Sequence, residues 1–159
     1  MEPTAWHASL PGVVVSAGAL IADGNGGVLV VKPNYRDHWT LPGGICEFGE
    51  APRAGCAREL MEELGIDAQL GALLAIDWQL AQEIYGPTAR PAVFFIFDGG
   101  TLPSLSGIRL QQEELDDCRF APVGELELLL PSASLPRVAA AIAALASGCV
   151  RTGPGLAAV

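Results

Sequence analysis

Basic residues are scarce in this chain. It carries 9 lysines and arginines against 18 aspartates and glutamates, which gives a formal net charge of −9 over 159 residues. Surfaces that bind nucleic acids or anionic membranes depend on clustered lysines and arginines, so this charge balance argues against either partner. A small phosphorylated ligand stays compatible with it, provided that divalent cations lie between the ligand and the acidic protein.

Histidines and long apolar runs are also lacking. Two histidines and four cysteines without C-x-x-C spacing do not make the pattern of a zinc site, and such cysteines indicate free thiols in a reducing compartment. The apolar run Val13–Ala22 is about half of the ~18 residues that a membrane helix needs. The N-terminus has no basic stretch typical of a signal peptide, so we expect a cytoplasmic protein.

The remaining composition fits one globular domain. Hydrophobic residues make up 50% of the chain and charged residues 17%, and its length is near that of a single domain. We expect one domain over residues 1–159, with a core from about residue 10 to 147 and a mobile C-terminal tail over residues 149–159.

The pattern of apolar residues predicts strands on both sides of one helix, with a second helix near the C-terminus. The predicted strands are Val13–Ala22, Val28–Lys32, Ile45–Glu47, Ala68–Leu80, Ala92–Asp98 and Cys118–Phe120, the first two joined as a hairpin through Asp23–Gly27. One helix is expected to begin near Pro52 and to end at Gly65, and the other spans Leu135–Ala146 before Gly148. Strands flanked by two helices predict an α/β/α sandwich around a mixed sheet.

The first of these helices carries an unusual concentration of carboxylates. Because a helix advances about 100° per residue, Glu59, Glu62 and Glu63 fall within an arc of roughly 100°. The residues on the opposite arc, predicted to face the core, are Ala54, Ala57, Leu60, Met61 and Leu64. This helix is therefore expected to pack through one side and to present three carboxylates on the other.

Such close carboxylates need solvent, protons or cations between them. At about 5 Å and an effective dielectric constant near 20, each pair repels by roughly 3 kcal/mol. Oxygen ligands without histidine or cysteine suit Mg²⁺ or Mn²⁺. Glu50 can join the cluster from the preceding loop, and Arg58 can hold one carboxylate by a bidentate contact. A solvated acidic helix face is the alternative.

The order of the whole segment Gly44–Ile66 resembles the Nudix box, G-x5-E-x7-R-E-U-x-E-E-x-G-U with U aliphatic, at every specified position. The matching residues are Gly44, Glu50, Arg58, Glu59, Leu60, Glu62, Glu63, Gly65 and Ile66. The preceding W-x-L-P-G-G at Trp39–Gly44 is also frequent in these enzymes. The resemblance implies a Nudix hydrolase with an α/β/α sandwich and a mixed, partly antiparallel sheet.

The resemblance also implies a metal site and a reaction. Glu59, Glu62 and Glu63 would bind Mg²⁺ or Mn²⁺ together with the carbonyl of Gly43, and Arg58 would orient the carboxylates. The reaction implied is the metal-dependent hydrolysis of a phosphoanhydride in a nucleoside diphosphate linked to another moiety.

A further carboxylate is implied downstream of the box. The segment Gln111–Phe120 resembles the family's E-aliphatic-x-acidic-x-R-aromatic pattern, which aligns Glu114 with a frequent accessory carboxylate. Glu113 is the alternative residue. The general base would be Glu62, one of its neighbours, or Glu114, because its position varies within the family.

The sequence says less about the substrate. Many ADP-ribose pyrophosphatases carry a proline where this chain has Ala81 and Gln82, and Pro87 comes several residues later. A nucleotide sugar or related dinucleotide is the first prediction, with a nucleoside triphosphate sanitising pyrophosphatase as the alternative. A non-catalytic nucleotide-binding Nudix module is a rival of a different class.

A homodimer is also predicted. The apolar segments Ala92–Asp98, Leu126–Pro131 and Leu135–Ala146 exceed what one sheet and two helices are expected to cover. An exposed apolar patch above a few hundred Å² usually marks an interface. A symmetric pairing of two copies would bury such a patch.

Overall fold

A mixed sheet forms the middle layer of the fold. The computed structural model describes residues 2–80 and 86–153. Its strands are β1 (Val14–Ala22), β2 (Gly27–Pro33), β3 (Gly43–Ile45), β4 (Leu73–Gln79), β5 (Ala92–Thr101), β6 (Leu115–Pro122) and β7 (Arg151–Thr152). Within the described residues they form one seven-stranded sheet in the order β6-β2-β1-β5-β4-β7, with β3 paired to β1. The β1–β5 and β4–β7 pairs are parallel and the others antiparallel, which confirms the mixed sheet.

The described residues form four helices, and each of the two long ones has a proline in its first turn and a glycine at its C-terminal end. They are α1 (Pro3–Ala8), α2 (Pro52–Leu64), α3 (Leu126–Leu129) and α4 (Leu135–Ser147), and a 3₁₀ turn at Val123–Glu125 precedes α3. Gly65 ends α2 with a left-handed φ of 68°, and Gly148 ends α4 with a φ of 70°. Both glycines therefore cap the helices as predicted, because they adopt this conformation without the strain of a Cβ. The short helices α1 and α3 lack a sequence period long enough to predict them.

The two long helices cover opposite faces of the sheet. Leu29 and Val31 of β2 belong to a buried cluster with Cys56, Leu60 and Leu64 of α2. The alternate residues Val28 and Val30 belong to a second cluster with Val138, Ala141 and Ala144 of α4. Because both faces of β2 are buried, the strand reads as a continuous apolar run rather than an alternating one. The α/β/α sandwich is confirmed.

The buried side of α2 differs from the predicted one. Leu60 and Leu64 are buried as expected, but Met61 is 45% exposed and Ala54 is also exposed. Gly55, Cys56 and Glu63 take their places on the buried side. A count of apolar residues misses this orientation, because a glycine and a glutamate lie at the packed positions.

Several strand boundaries also differ from the prediction. The hairpin between β1 and β2 is confirmed, since Asp23 Oδ1 accepts hydrogen bonds from the Asn25 and Gly27 amides at 2.7 and 2.8 Å. In contrast, β3 begins at Gly43 instead of Ile45, β4 begins at Leu73, and β6 extends from Leu115 to Pro122. These limits are set by pairing with strands that are distant in sequence, which local propensity cannot detect.

The C-terminal segment is partly paired to the sheet. Arg151 and Thr152, predicted to belong to a mobile tail, lie parallel to β4, and the Gly153 amide donates to the Ile76 carbonyl at 2.7 Å. A short parallel pairing of this kind leaves little signal in the sequence. The remainder of the predicted tail, residues 154–159, lies outside the described residues, as do Ala81 and Gln82. Over residues 2–80 and 86–153, no helix is both long and apolar enough to cross a membrane.

Candidate active site

Arg58 lies at the centre of the acidic segment. Its Nε and Nη2 donate to the two carboxylate oxygens of Glu50, both at 3.0 Å. Its Nη1 donates to Glu59 at 3.0 Å and to Glu62 at 2.9 Å. A further bond from Nη2 to the Ile45 carbonyl at 3.1 Å ties the arginine to the end of β3. The predicted bidentate contact is confirmed, and its partner is Glu50.

Glu50 stays ionised as the structural partner of this arginine. The hydrogen bonds from Arg58, followed by a bond from the Glu47 amide at 2.8 Å, lower the pKa of Glu50. The same contacts raise the pKa of Arg58, with Glu50 as the largest cause. Glu50 and Arg58 thus join the loop after β3 to helix α2, because each stabilises the charge of the other.

Glu63 is the buried carboxyl group of the cluster. It is 6% exposed and accepts one hydrogen bond, from the Gly43 amide at 2.9 Å. Burial raises the pKa of Glu63 to about 8, and the negative charges of Glu59, Glu114 and Glu62 act in the same direction. Arg58 contacts the other three box carboxylates but leaves Glu63 without a basic partner among the described residues.

Glu59 lies against the glycine pair that precedes the helix. A Cβ added to Gly44 would be 2.5 Å from the Glu59 carboxyl carbon, so a side chain at this position would displace the glutamate. Gly43 packs equally closely on β1, where its Cβ would be 2.3 Å from the Ala17 carbonyl oxygen, and its φ is 134°. Burial raises the pKa of Glu59, although the bond from Arg58 opposes that shift.

Glu114 reaches the same region from the start of β6. It precedes β6, and its carbonyl accepts from the Asn34 amide at 2.9 Å. Its charge raises the pKa of both Glu59 and Glu63, so the folded chain brings these three carboxylates together. Both Glu114 and the alternative residue, Glu113, are exposed, but only Glu114 lines the cleft described below.

A cleft of about 560 Å³ is lined on its α2 side by the acidic residues, which form its acidic end. Glu59, Glu63 and Glu114 line it together with Gly43, whereas Glu62 and Arg58 do not. Glu62 has a side chain that is 50% exposed and is held by Arg58 outside the cleft. The three carboxylates on the α2 face therefore separate into two that enter the cleft and one that stays at its margin.

The cleft also contains a buried arginine that the sequence did not single out. Arg137 of α4 is 9% exposed and lines the cleft with Gln79, Phe94 and Ser134. The available signal is that Arg137 is the one charged residue in the otherwise apolar segment Leu135–Ala146. The helical periodicity of this segment predicts a helix, but it does not separate an arginine facing the cleft from one facing solvent.

The donor set at the acidic end fits a hard divalent cation. Glu63 is buried without a counter-charge, and two more carboxylates share its cleft, so a cation there would relieve the repulsion that raises the pKa of Glu63. In the conformation described, Arg58 contacts Glu59, and no three acidic, histidine or cysteine side chains of residues 2–80 and 86–153 already surround one point. The oxygen ligands are present, but a bound cation would be needed to bring them around one point.

A sequence model of the NUDIX domain matches residues 12–141, which span β1 to β6, α2 and the first half of α4. The chain belongs to the Nudix family. It is 31% identical over 83 residues to the MutT-like protein of Streptomyces ambofaciens, covering 52% of this chain and 49% of that protein. It is 40% identical over 65 residues to nucleoside diphosphate-linked moiety X motif 6 of Xenopus laevis, covering 40% and 30%. The chain thus spans less than half the length of these two relatives.

Solved structures show the same fold. The MutT protein of Methanosarcina mazei Go1 superposes with a TM-score of 0.64 at 24% identity, covering 78% of this chain and 89% of that one. A UDP-X diphosphatase gives a TM-score of 0.71 at 20% identity, covering 95% and 70%. An Ap4A hydrolase of C. elegans gives 0.66 at 20% identity, covering 86% and 100%. At these identities the comparison establishes the Nudix architecture.

Proposed function

We propose that this Nudix chain hydrolyses a phosphoanhydride in a nucleoside diphosphate linked to another moiety. The observation that carries the proposal is the buried carboxyl of Glu63, which shares one cleft with Glu59 and Glu114 and has no basic partner among the described residues. A negatively charged diphosphate can approach such a site only with cations between the two. Nudix hydrolases generally use divalent metal ions, which agrees with this requirement.

We assign the cation to Mg²⁺ or Mn²⁺, because the side-chain donors are all carboxylate oxygens. Glu59, Glu62 and Glu63 would hold it with the carbonyl of Gly43. When bound, the cation supplies charge that neutralises diphosphate oxygens and lowers the pKa of a coordinated water. Glu59 and Glu63 already line the cleft, whereas Glu62 would have to turn from its contact with Arg58.

Arg58 would position the ligands rather than touch the substrate. Its guanidinium lies outside the cleft and spans Glu50, Glu59 and Glu62. A planar group with several donors can hold carboxylates in fixed relative positions, which a lysine cannot reproduce. We therefore expect Arg58 to maintain the orientation of α2 carboxylates against the glycine pair.

The candidate bases are Glu62, its neighbours on α2 and Glu114, and we assign the role to Glu114. It lines the cleft, Glu62 is held at the margin, and Glu59 and Glu63, which also line the cleft, are assigned to the cation. A general base must reach the water whose proton it accepts, so exposure to the cleft is the first requirement. In this proposal Glu114 accepts the proton of the attacking water, and Glu62 serves as a metal ligand.

A matched pair of variants tests this assignment. Glu114→Gln removes the basic oxygen but keeps the size of the side chain, and we expect turnover to fall by about 10²-fold or more. Glu113→Gln makes the same chemical change one residue earlier, where the side chain does not line the cleft, and should leave turnover within about twofold. Equal activities of the two variants would exclude Glu114 as base.

The substrate prediction is a nucleotide sugar or related dinucleotide. A cleft of about 560 Å³ falls within the roughly 300–1,000 Å³ of pockets that enclose small molecules. Structural relatives include a protein named as a UDP-X diphosphatase and another named as an Ap4A hydrolase. Both names describe substrates with a nucleoside joined through phosphates to a further group, which supports the same class here.

The experiment is a substrate panel with product identification. ADP-ribose, NADH, dinucleoside polyphosphates, nucleotide sugars and nucleoside triphosphates would each be incubated with Mg²⁺ or Mn²⁺. We expect the highest kcat/KM among the diphosphate conjugates. Triphosphate turnover far above all conjugates would refute that ranking, and tight nucleotide binding without any product would favour the non-catalytic module.

We also propose a cytoplasmic protein. All four cysteines are free, which suits a reducing compartment. Protein isolated from its source with thiols blocked at lysis should contain no disulfide by mass spectrometry. An intramolecular disulfide in that material would contradict the assignment.

The homodimer remains a proposal as well. Ile96, Phe97, Leu126 and Leu130, which lie in the apolar segments that suggested it, are buried within the chain. Other large apolar side chains are nevertheless exposed: Leu128, within one of these same segments, at 81%, Phe48 at 108% and Ile45 at 63%. Sedimentation at micromolar concentration should therefore give twice the chain mass of 16.5 kDa. A single species at the chain mass would refute the dimer and leave the hydrolase proposal intact.

A further inference from the structure

Arg137 lines the cleft from α4, which covers the opposite face of the sheet from α2, so it lies away from the acidic end. It lies in the first turn of α4, and within the described residues its hydrogen bonds all come from Nη1, to Asp77 at 3.4 Å, Gln79 at 3.3 Å and the Ala133 carbonyl at 3.1 Å. Its guanidinium carbon is 3.8 Å from the centre of the Phe94 ring. The aromatic face and three acceptors therefore hold the guanidinium in one plane.

The other two nitrogens of this guanidinium have no acceptor among residues 2–80 and 86–153. Within the described residues Nε and Nη2 make no hydrogen bond, yet no buried side-chain nitrogen or oxygen in that part of the chain is left without a partner. Nε and Nη2 must accordingly retain contact with solvent. Since Arg137 lines the cleft, the solvent in contact with them is the solvent of the cleft.

The charge of this arginine is already offset. Asp77 is 3% exposed and lies within salt-bridge distance of Nη1. On the far side of Asp77, a Cβ added to Gly153 would be 2.3 Å from its carboxylate, so the segment after β7 encloses it. A neutral ligand suits this end better than a second anion, because the buried pair carries no net charge.

We propose that Arg137 recognises the nucleobase of the substrate, through Nε and Nη2, and selects bases with two adjacent hydrogen-bond acceptors. The inference rests on the proposed function, which puts the diphosphate at the acidic end of the cleft and leaves the other end for the nucleoside. Gln79 accepts a hydrogen bond from Nη1 and Phe94 packs against the face of the guanidinium, so both residues position it. Arg137 is then a specificity residue and takes no part in the chemical step.

The chemistry of the bases makes the proposal specific. Nε–H and Nη2–H lie on the same edge of the guanidinium and are nearly parallel, so they can form a bidentate contact like that of Arg58 with Glu50. Guanine presents the adjacent acceptors O6 and N7 to such a pair, and cytosine presents O2 and N3. Adenine and uracil present no such pair: adenine has its N6 amino group beside N1 and N7 and an isolated acceptor at N3, and uracil has N3–H between O2 and O4. The preferred substrates are therefore guanosine or cytidine conjugates.

Binding of GMP, CMP, AMP and UMP by calorimetry, with Mg²⁺ present, tests the preference in the unmodified protein. All four share the ribose and phosphate, so their differences report the base alone. We expect GMP or CMP to bind roughly 10- to 100-fold more tightly than AMP and UMP. Equal affinities, or a preference for AMP or UMP, would overturn the proposal.

Two variants separate recognition from a structural role. Arg137→Lys keeps a positive charge for Asp77 but lacks the second pair of donors, so it should fold and bind all four nucleotides with similar, weak affinity. A double variant, Arg137→Met with Asp77→Asn, removes both charges and should show the same loss of preference. If Arg137→Lys retained the preference of the original protein, charge alone would account for the residue and the proposal would fail.

The corresponding glucose conjugates, GDP-, CDP-, ADP- and UDP-glucose, distinguish this inference from the proposed function. We expect Arg137→Lys to lose about 10-fold or more in kcat/KM for the preferred conjugate, chiefly through KM, with little change for the others. If no conjugate were hydrolysed but the base preference in binding persisted, the proposed hydrolysis would fail and base recognition would stand.

Discussion

Glu63 gives the sharpest test of how burial controls this site, because one substitution should raise stability and abolish function. In the metal-free protein its pKa is raised from 4.5 to about 8. The folded state therefore binds more protons than the unfolded state between these values. The contribution of the protonated group to stability is complete below pH 4.5 and is lost as the pH rises to about 8.

The size of the effect follows from the shift. One pKa unit corresponds to about 1.4 kcal/mol, so the free energy of unfolding should fall by roughly 5 kcal/mol across this window. Glu63→Gln has no charge to bury, and its amide oxygen can still accept from the Gly43 amide. We expect the variant to match the original protein near pH 4.5 and to exceed its stability by roughly 5 kcal/mol at pH 9.

Urea unfolding in EDTA from pH 4.5 to 9 measures this difference, with Glu113→Gln as an exposed control that should follow the original curve. Addition of Mg²⁺ should then stabilise the original protein at pH 8 but not Glu63→Gln, since ion binding to the folded state raises its stability. Turnover of the variant should fall by about 10²-fold or more. Parallel pH curves for all three proteins would refute the argument that Glu63 is buried without a counter-charge.

Three other substitutions test the scaffold around these carboxylates. Gly44→Ala should displace Glu59 and lower turnover by about tenfold or more. In the control variant Gly107→Ala the new Cβ would meet no atom within 4 Å, so turnover should not change. Equal steady-state kinetics of the two variants would contradict this prediction. Arg58→Lys cannot span several carboxylates, and we expect at least tenfold weaker activation by Mg²⁺ in a metal titration; an unchanged midpoint would show that the arginine is dispensable. Gly65→Ala forces a side chain into the left-handed region and should lower the free energy of unfolding by roughly 1 kcal/mol, with kcat unchanged. A urea midpoint equal to that of the original protein would refute the strain.

Local features of the sequence predicted the box helix well. Pro52 lacks an amide hydrogen that the first turn does not need, and Gly65 accepts a conformation that other residues resist, so both ends of α2 are determined by single residues. The contact between Arg58 and Glu62 follows from their spacing of four residues on one helix. These interactions act over a single turn and need no other part of the chain.

The roles of neighbouring carboxylates could not be read in the same way. Glu62 and Glu63 are adjacent in sequence and chemically identical, yet one is half exposed beside Arg58 and the other is buried under β3. The difference depends on the rotation of α2, which is determined by the packing of Gly55, Cys56 and Leu60. The pKa of about 8 for Glu63 is thus a property of the packed helix and not of the motif.

Long-range contacts decided the remainder of the cleft. Asp77 and Phe94 are cross-strand neighbours on β4 and β5, and Arg137 reaches them from a helix 60 residues beyond Asp77. The sequence by itself determined the family, the bounds of α2 and the group of carboxylates on that helix, because these depend on residue order within one segment. Tertiary structure alone brought Glu114 near Glu63 and put a buried arginine in the same cleft, because only strand pairing and helix packing bring such distant residues together.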